Sequence, residues 1–204
     1  MRTKHGIKKT KTASAENTKK AWKPGNMLYP VPAVMVSCQR KGEKPNIITV
    51  AWTGTVCSDP PMLSVSIRKD RFSHHLIEES GEFVVNLVSE KIAKAADWCG
   101  VRSGRDTDKW KACGITPVKT PNLEKAPAVA ESPVWIECRT EQILELGSHD
   151  MFLAKVVGVH ADEALFDENG RLDLAKAGLI AYSHGEYFRL GDKIGSFGWS
   201  VKKK

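Results

Sequence analysis

The sequence contains no long apolar stretch. No run among its 204 residues approaches the ~18 consecutive apolar residues that a membrane-spanning helix needs. Residues 1–20 are rich in lysine but have no apolar segment behind them, so they do not have the pattern of a secretory signal. These absences predict a cytoplasmic protein that makes no use of a membrane. At this length a single hydrophobic core is the default expectation.

The chain also lacks the cysteine and histidine spacings of metal sites. Its five cysteines are far apart and form no CxxC pair, and its six histidines form no HExxH motif. An odd number of widely spaced cysteines argues against a disulfide framework. We therefore expect neither structural disulfides nor a bound metal.

The common signatures of nucleotide and hydrolase chemistry are missing as well. The sequence contains no GxGxxG followed by a helix, no Walker loop, no GxSxG elbow and no set of kinase motifs. A nucleotide ligand would therefore have to bind outside the two commonest nucleotide-binding folds.

Positive charge is concentrated at one end of the chain. The formal net charge is +7, but eight of the 31 Lys and Arg residues lie in residues 1–25, against Glu16 alone, and the remainder is neutral with 23 of each sign. A nucleic-acid groove should carry its positive excess within the fold. We predict a solvated basic tail over 1–25 and one domain over 26–204, with no nucleic-acid partner. The alternative is an arm that binds nucleic acid or an acidic membrane.

Beyond this tail the pattern is mainly β. Short helices are expected at 74–80, with Ser73 as the cap and Gly81 as the stop, and at 91–99 and 107–113. Segments with alternating or β-branched residues predict strands. These predicted strands are residues 33–39, 46–52, 62–67, 82–88, 134–145 and 151–160. Long strands without a βαβ rhythm favour an antiparallel barrel or sandwich with a few short helices.

Two neighbouring stretches have features that suit a flat, phosphorylated ligand. Residues 46–55 form a strand with a small, polar exit, where Ala51 and Gly54 would let a ring approach the backbone. Residues 66–74 place two arginines and two hydroxyls before a helix N-terminus, which is the composition of a phosphate site. Each stretch alone is compatible with an ordinary turn or a solvated surface. Together they supply different parts of one amphipathic ligand.

The two stretches belong to a longer series of short motifs that extends along most of the chain. The succession is Asn46-x-x-Thr49-x-Ala51-Trp52-x-Gly54, Ser58-x-Pro60-Pro61, Ser66-x-Arg68-x-x-Arg71-x-Ser73, Phe83-Val84-Val85-Asn86, Gly104-Arg105-Asp106-x-Asp108-Lys109-Trp110, Gly147-x-His149-Asp150-x-Phe152 and Tyr187-x-x-Leu190-Gly191. From about Met27 to Val201 it resembles the flavin reductase-like family, in particular its flavoredoxin-like members. The resemblance implies an FMN-binding split β-barrel of Greek-key type. It also implies a homodimer with non-covalent FMN near the subunit interface.

The resemblance further assigns site residues. Those implied to border the FMN ring are Asn46, Thr49, Ala51, Trp52 and Thr53. Those implied to hold the phosphate are Ser66, Arg68 and Ser73, with Arg71 in support, and Ile67 is a further cofactor-binding residue on the same strand. Trp110 would cover the ring or the ribityl chain, the alternative being a core tryptophan. His149, the catalytic candidate, and Asp150 would flank the approach of a hydride donor, the alternative being a solvated turn.

The implied activity is that of an NAD(P)H-dependent flavin reductase. FMN carries out the redox chemistry, so the protein needs no acid–base motif of its own. Electrons would pass from NAD(P)H through FMN to free flavin or another acceptor. The alternative is an electron-transfer flavoprotein of flavoredoxin type without its own NAD(P)H activity.

Overall fold

The computed structural model describes residues 18–201. Of the predicted tail, residues 1–17 lie outside the described residues, and residues 18–25 are exposed and contain no helix or strand. The strands are β1 (Val31–Pro32), β2 (Val34–Cys38), β3 (Asn46–Val50), β4 (Thr53–Ser58), β5 (Pro61–Arg68), β6 (Glu82–Leu87), β7 (Pro117–Val118), β8 (Ala128–Val129), β9 (Val134–Leu146), β10 (His149–Ala161), β11 (Ile180–Ser183) and β12 (Glu186–Arg189). The α-helices are α1 (Phe72–Ser80), α2 (Ala93–Val101) and α3 (Lys109–Cys113), and 3₁₀ turns cover Glu90–Ile92, Glu163–Leu165, Leu174–Ala177 and Trp199–Val201.

The main sheet has seven antiparallel strands in the order β3-β2-β6-β9-β10-β5-β4. A smaller sheet has the order β1-β11-β12, and β7 pairs with β8. The expectation of a mainly β, antiparallel fold with few helices is confirmed. Strands β3 and β5 lie toward opposite ends of this strand order and yet contact each other. The two stretches singled out in the sequence therefore meet in space although their strands are not paired.

The predicted β2–β3 hairpin is present, with Met35 opposite Thr49 and Val36 opposite Ile48. Its second strand is shorter than the predicted 46–52, because β3 ends at Val50 and the chain bends at 51–52. Strand β4 was not predicted. Its sequence, TGTVCS, has no apolar alternation, and it is largely exposed at the edge of the sheet, so periodicity gives no signal for it.

Strands β2 and β3 are buried along almost their whole length. The hydrophobic core has two main parts, one on each side of these strands. The larger cluster packs between the sheet and α1, with Phe83 and Phe152 fully buried at its centre. The second cluster lies under α2 and α3 and includes Ile47 and Trp110. Helix α2 packs against β3, and this contact positions the helix beside that strand.

The helix boundaries correct one expectation and confirm another. Arg71, not Ser73, is the N-cap of α1, and it makes no capping hydrogen bond through its side chain. Ser73 lies inside the first turn. Gly81 ends the helix as predicted, at φ 69°, with its N–H bonded to the Ile77 carbonyl, a conformation that favours glycine.

Candidate functional site

A cavity of about 390 Å³ opens where β3 and β5 end. Helix α2 and the β11–β12 hairpin form its other walls. The structure brings eight of the predicted site residues to this cavity, namely Thr49, Ala51, Trp52, Ser66, Ile67, Arg68, Arg71 and His149. Residues from other parts of the chain complete the lining: Ala33, Ile48, Val50, Asp97, Gly100, Val101, Tyr182, Gly185 and Tyr187.

Strand pairing explains why the predicted residues meet. The Ser66 N–H donates to the Trp52 carbonyl at 2.8 Å, which joins β5 to the bend after β3. In the β5–β10 pair Arg68 lies opposite His149, so these two residues share one end of the sheet. Three segments distant in sequence therefore supply one rim of the cavity.

Helix α2 closes the cavity tightly against β3. The Thr49 hydroxyl donates to the Ala96 carbonyl. A Cβ added at Gly100 would lie 3.3 Å from the Thr49 Cβ, closer than ordinary packing. Glycine at this position lets the helix approach the strand, which makes Gly100 a shape-determining residue of the wall.

The β11–β12 hairpin contributes an aromatic wall that sequence reasoning did not assign. Tyr182 and Tyr187 line the cavity, and the Tyr187 hydroxyl donates to Asp97 Oδ1 on α2 at 3.2 Å. Burial and the nearby Asp97 raise the pKa of Tyr187 to about 12, so it stays protonated. Tyr29 extends the wall, with its ring 6.1 Å from that of Trp52. The only sequence signal was the position of Tyr187 in the closing motif.

Arg71 also lines a second, smaller hollow of about 120 Å³. This hollow is cationic because Arg102, Arg105 and Lys109 also line it, whereas Asp70 is the one acidic residue in its lining. Asn46 and Ser73 lie here, outside the main cavity, and are hydrogen-bonded to each other. Two of these cations, Arg105 and Lys109, belong to the motif at residues 104–110, from which the sequence analysis assigned a site role to Trp110 only; Arg102 precedes that motif.

Lys109 is almost fully buried at the wall of this hollow. Its ammonium group donates to the carbonyls of Ile47 and Cys99, each at 2.8 Å. Burial lowers the pKa of Lys109 because water no longer solvates the charge. The two carbonyl bonds fix the amine between β3 and the end of α2.

Two predicted residues lie outside the main cavity for clear packing reasons. The Thr53 hydroxyl donates to the Ser64 carbonyl at 2.7 Å across the β4–β5 pair. Trp110 is 6% exposed in the second core cluster, and its indole N–H donates to the Pro45 carbonyl at 3.0 Å. These contacts fit the alternative of a core tryptophan.

His149 and Asp150 point to opposite sides of β10. His149 faces the cavity, where burial and then the charge of Arg68 lower its pKa, which favours the neutral ring at neutral pH. Asp150 is buried with its Oδ2 2.8 Å from His74 Nε2, and Lys69 Nζ lies 3.4 Å from the other oxygen. Burial alone would raise the pKa of Asp150, but the bonds from His74 and Lys69 hold it below its ordinary value. Asp150 therefore links β10 to α1 and does not reach the cavity.

A third hollow, of about 450 Å³, adjoins the main cavity and shares Trp52, Ser66 and His149 with it. Its remaining walls include the exposed side chains of Met27 and Leu28. The shared residues thus separate a more enclosed compartment from an open one.

Comparison with known proteins identifies the family to which this architecture belongs. The family model described as "Flavin reductase like domain" matches residues 26–191. The chain belongs to the flavin reductase-like family.

Solved structures of related proteins agree with this assignment. Flavoredoxin of Desulfovibrio vulgaris (Miyazaki F) is 30% identical with a TM-score of 0.84, over 91% of this chain and 100% of that one. Flavoredoxin from Methanosarcina acetivorans is 27% identical with a TM-score of 0.82, over 91% and 98%. An FMN-binding protein from Thermus thermophilus is 25% identical with a TM-score of 0.72, over 89% and 99%. The predicted split-barrel fold is confirmed.

Family membership supports a flavin-related redox function, a flavin cofactor and an oxidoreductase-like role. Within residues 18–201, no helix of this flavin reductase-like chain has the length and apolar character needed to cross a membrane. The same residues bring no three His, Cys, Asp or Glu side chains together in a metal-binding arrangement.

Proposed function

We propose that the protein is an FMN-binding oxidoreductase that passes electrons from NAD(P)H to free flavin or another acceptor. The observation that carries this proposal is the cavity at the ends of β3 and β5, with Arg71 between it and the cationic hollow. The FMN ring would lie among Thr49, Ala51 and Trp52, and its phosphate near Arg71.

The chemistry of the two compartments fits such a ligand. The 390 Å³ cavity lies within the range of small-molecule sites, and its walls combine aromatic and apolar groups with polar edges. The adjoining hollow offers guanidinium and ammonium groups, which are the donors that bind phosphate. An apolar ring with an anionic end matches both compartments at once.

The protein's own groups would bind and orient the reactants. FMN, when bound, supplies hydride and single-electron transfer. Trp52, Ser66 and His149 border both the cavity and the open hollow beside it, so a nicotinamide donor could approach the ring from that hollow. A neutral His149 would place no positive charge in the path of the donor.

The first experiment is the absorption spectrum of the purified protein titrated with FMN, followed by addition of NADH or NADPH. Binding should perturb the flavin bands, and reduction should bleach them. Steady-state oxidation of NADH and NADPH with excess free FMN then measures turnover. Flavin bands that do not change at saturating protein would reject the proposal.

An electron-transfer flavoprotein is the second candidate, and the 0.84 TM-score to a flavoredoxin favours it. Such a carrier would bind FMN at the same site but receive electrons from another reduced protein. The same assay separates the two candidates. FMN binding without oxidation of either pyridine nucleotide would leave the carrier, while turnover with either donor would reject it.

We also propose a homodimer. The described chain leaves large apolar side chains uncovered along its C-terminal segment, residues 190–201, where Leu190, Ile194, Phe197 and Trp199 are all exposed. Strand β4 presents an open edge in addition. Association of two chains would bury the exposed apolar side chains and pair the open strand edge, and both effects favour a dimer.

Sedimentation velocity over a range of concentrations tests this association. We expect twice the chain mass for the native protein and a shift toward the single-chain mass for Ile194→Asp. Leu174→Asp, at an exposed apolar site outside this segment, is the matched control. A native protein that sediments as a monomer throughout would reject the dimer.

A further inference from the structure

Two cysteines face each other where α2 meets α3. The Sγ atoms of Cys99 and Cys113 are 3.8 Å apart, although 14 residues separate them in sequence. Cys99 is fully buried, whereas Cys113 is partly exposed. The Cys113 Sγ also lies 3.9 Å from the Ala95 carbonyl. The sulfur atoms of Cys38, Cys57 and Cys138 lie against backbone carbonyls elsewhere in the fold.

A disulfide bond length of about 2.05 Å would require these two sulfurs to approach by roughly 1.8 Å from their 3.8 Å separation. One thiol is accessible and the other lies directly behind it, which is the arrangement of an attacking and a resolving cysteine. We propose that Cys99 and Cys113 form a dithiol oxidation site that small disulfides such as oxidised glutathione convert into an intrachain disulfide.

The exchange has two steps and needs only that oxidant. The Cys113 thiolate attacks one glutathione sulfur, forms a mixed disulfide and releases one glutathione thiolate. The Cys99 sulfur then attacks the Cys113 sulfur, closes the intrachain bond and releases the second glutathione. The protein loses two electrons and two protons, and one glutathione disulfide becomes two thiols.

The difference in burial sets the order of these steps. Burial raises the pKa of the Cys99 thiol to about 12, with a further contribution from Cys113. The thiolate is the reactive form, so a buried thiol of high pKa is a poor first nucleophile. The first attack therefore falls to Cys113, the more exposed of the two thiols.

The position of Cys99 couples this site to the cavity. The Cys99 carbonyl accepts a hydrogen bond from the Lys109 ammonium group. The next residue, Gly100, packs against Thr49 in the cavity wall. A movement of Cys99 toward α3 would displace both the wall and the lysine of the cationic hollow. Assuming the proposed function, oxidation should change the FMN dissociation constant by about fivefold or more, the lower end of ordinary allosteric coupling.

The test treats the full chain with oxidised glutathione, alkylates the remaining thiols and analyses the product by mass spectrometry. We expect an intact mass lower by two hydrogen atoms, restored by dithiothreitol. Trypsin sites at Arg102, Arg105, Lys109 and Lys111 separate the two cysteines, so the disulfide appears as a cross-linked peptide pair. Cys113→Ser and, independently, Cys99→Ala should abolish that pair. Cys57→Ser, which alters another partly exposed cysteine, should retain it.

A glutathione adduct that stays on Cys113 without ring closure would overturn the proposal, as would a cross-link that includes Cys57. Equal FMN dissociation constants for the reduced and oxidised proteins would overturn the coupling. Failure of both forms to bind FMN would reject the proposed function instead, because the disulfide is scored by mass and needs no flavin.

Discussion

The side-chain amide of Asn46 donates a 2.8 Å hydrogen bond to the hydroxyl of Ser73, and both side chains are buried. This bond joins the first residue of β3 to the first turn of α1 across 27 residues of sequence. It holds the helix start beside the cationic hollow. Asn46 was predicted to border the ring and Ser73 to hold the phosphate; the structure bonds them to each other at the wall of the cationic hollow.

Removing this bond should weaken the fold. Ser73→Ala leaves a buried amide donor unpaired, which costs about 1–3 kcal/mol of unfolding free energy. Urea unfolding of Ser73→Ala, Asn46→Ala and the double variant measures the coupling, expected near 1 kcal/mol. Strict additivity of the two single effects would show that the bond contributes nothing.

Arg71 should contribute more to FMN affinity than Arg68. Arg71 lines both compartments, whereas the Arg68 side chain is 53% exposed and already bonded to Asp70. Loss of a charged contact worth ~1.5–3 kcal/mol weakens binding by roughly ten- to a hundredfold. We expect that loss for Arg71→Ala in a fluorescence titration with FMN, and less than about tenfold for Arg68→Ala.

Riboflavin provides the control because it has the ring but no phosphate. Its affinity should hardly change in either arginine variant. An equal loss for FMN and riboflavin would indicate a general disturbance of the cavity and would remove the phosphate role.

His149 should titrate below the ordinary histidine value of about 6.5. Burial is the larger cause and the positive charge of Arg68 the next. The stability contributed by the neutral ring is therefore complete above the ordinary pKa and is lost as the pH falls through the lower, folded-state pKa.

A pH titration of the ring protons by NMR measures this pKa, with the resonance assigned by its absence in His149→Gln. Arg68→Ala should move the midpoint upward because it removes a nearby cation. A wild-type midpoint at or above about 6.5 would contradict the expected environment.

Gly100→Ala should change the shape of the cavity with little effect on the stability of the fold. The new methyl group would press on Thr49, while alanine raises helix stability by up to about 1 kcal/mol. We expect a change in unfolding free energy below about 1 kcal/mol but a roughly fivefold or larger rise in the FMN dissociation constant. Gly54→Ala is the control. The sequence placed Gly54 beside the ring, but the structure places it on β4 outside the cavity lining, and its methyl group would meet nothing within 4 Å, so affinity should be unchanged. Unchanged affinity in both variants would place the ring elsewhere.

Local pattern was enough to predict several elements. The alternating pattern at 62–67 predicted a strand, and Leu63, Val65 and Ile67 form the buried face of β5. Gly81 marked the end of α1. Strand β4 escaped prediction because an exposed edge strand needs no apolar alternation. Ser73 was misplaced as a cap because a serine before a helical pattern gives the same signal whether it caps the helix or enters it.

The sequence by itself determined the β-rich class, and it predicted eight of the residues that line the main cavity. Only the tertiary structure decided that β3 and β5 converge, that Tyr182 and Tyr187 wall the cavity, and that Lys109 joins Arg71 at a separate hollow. The physical reason is that periodicity reports which face of a strand is buried, whereas strand order and chain closure decide which distant side chains meet.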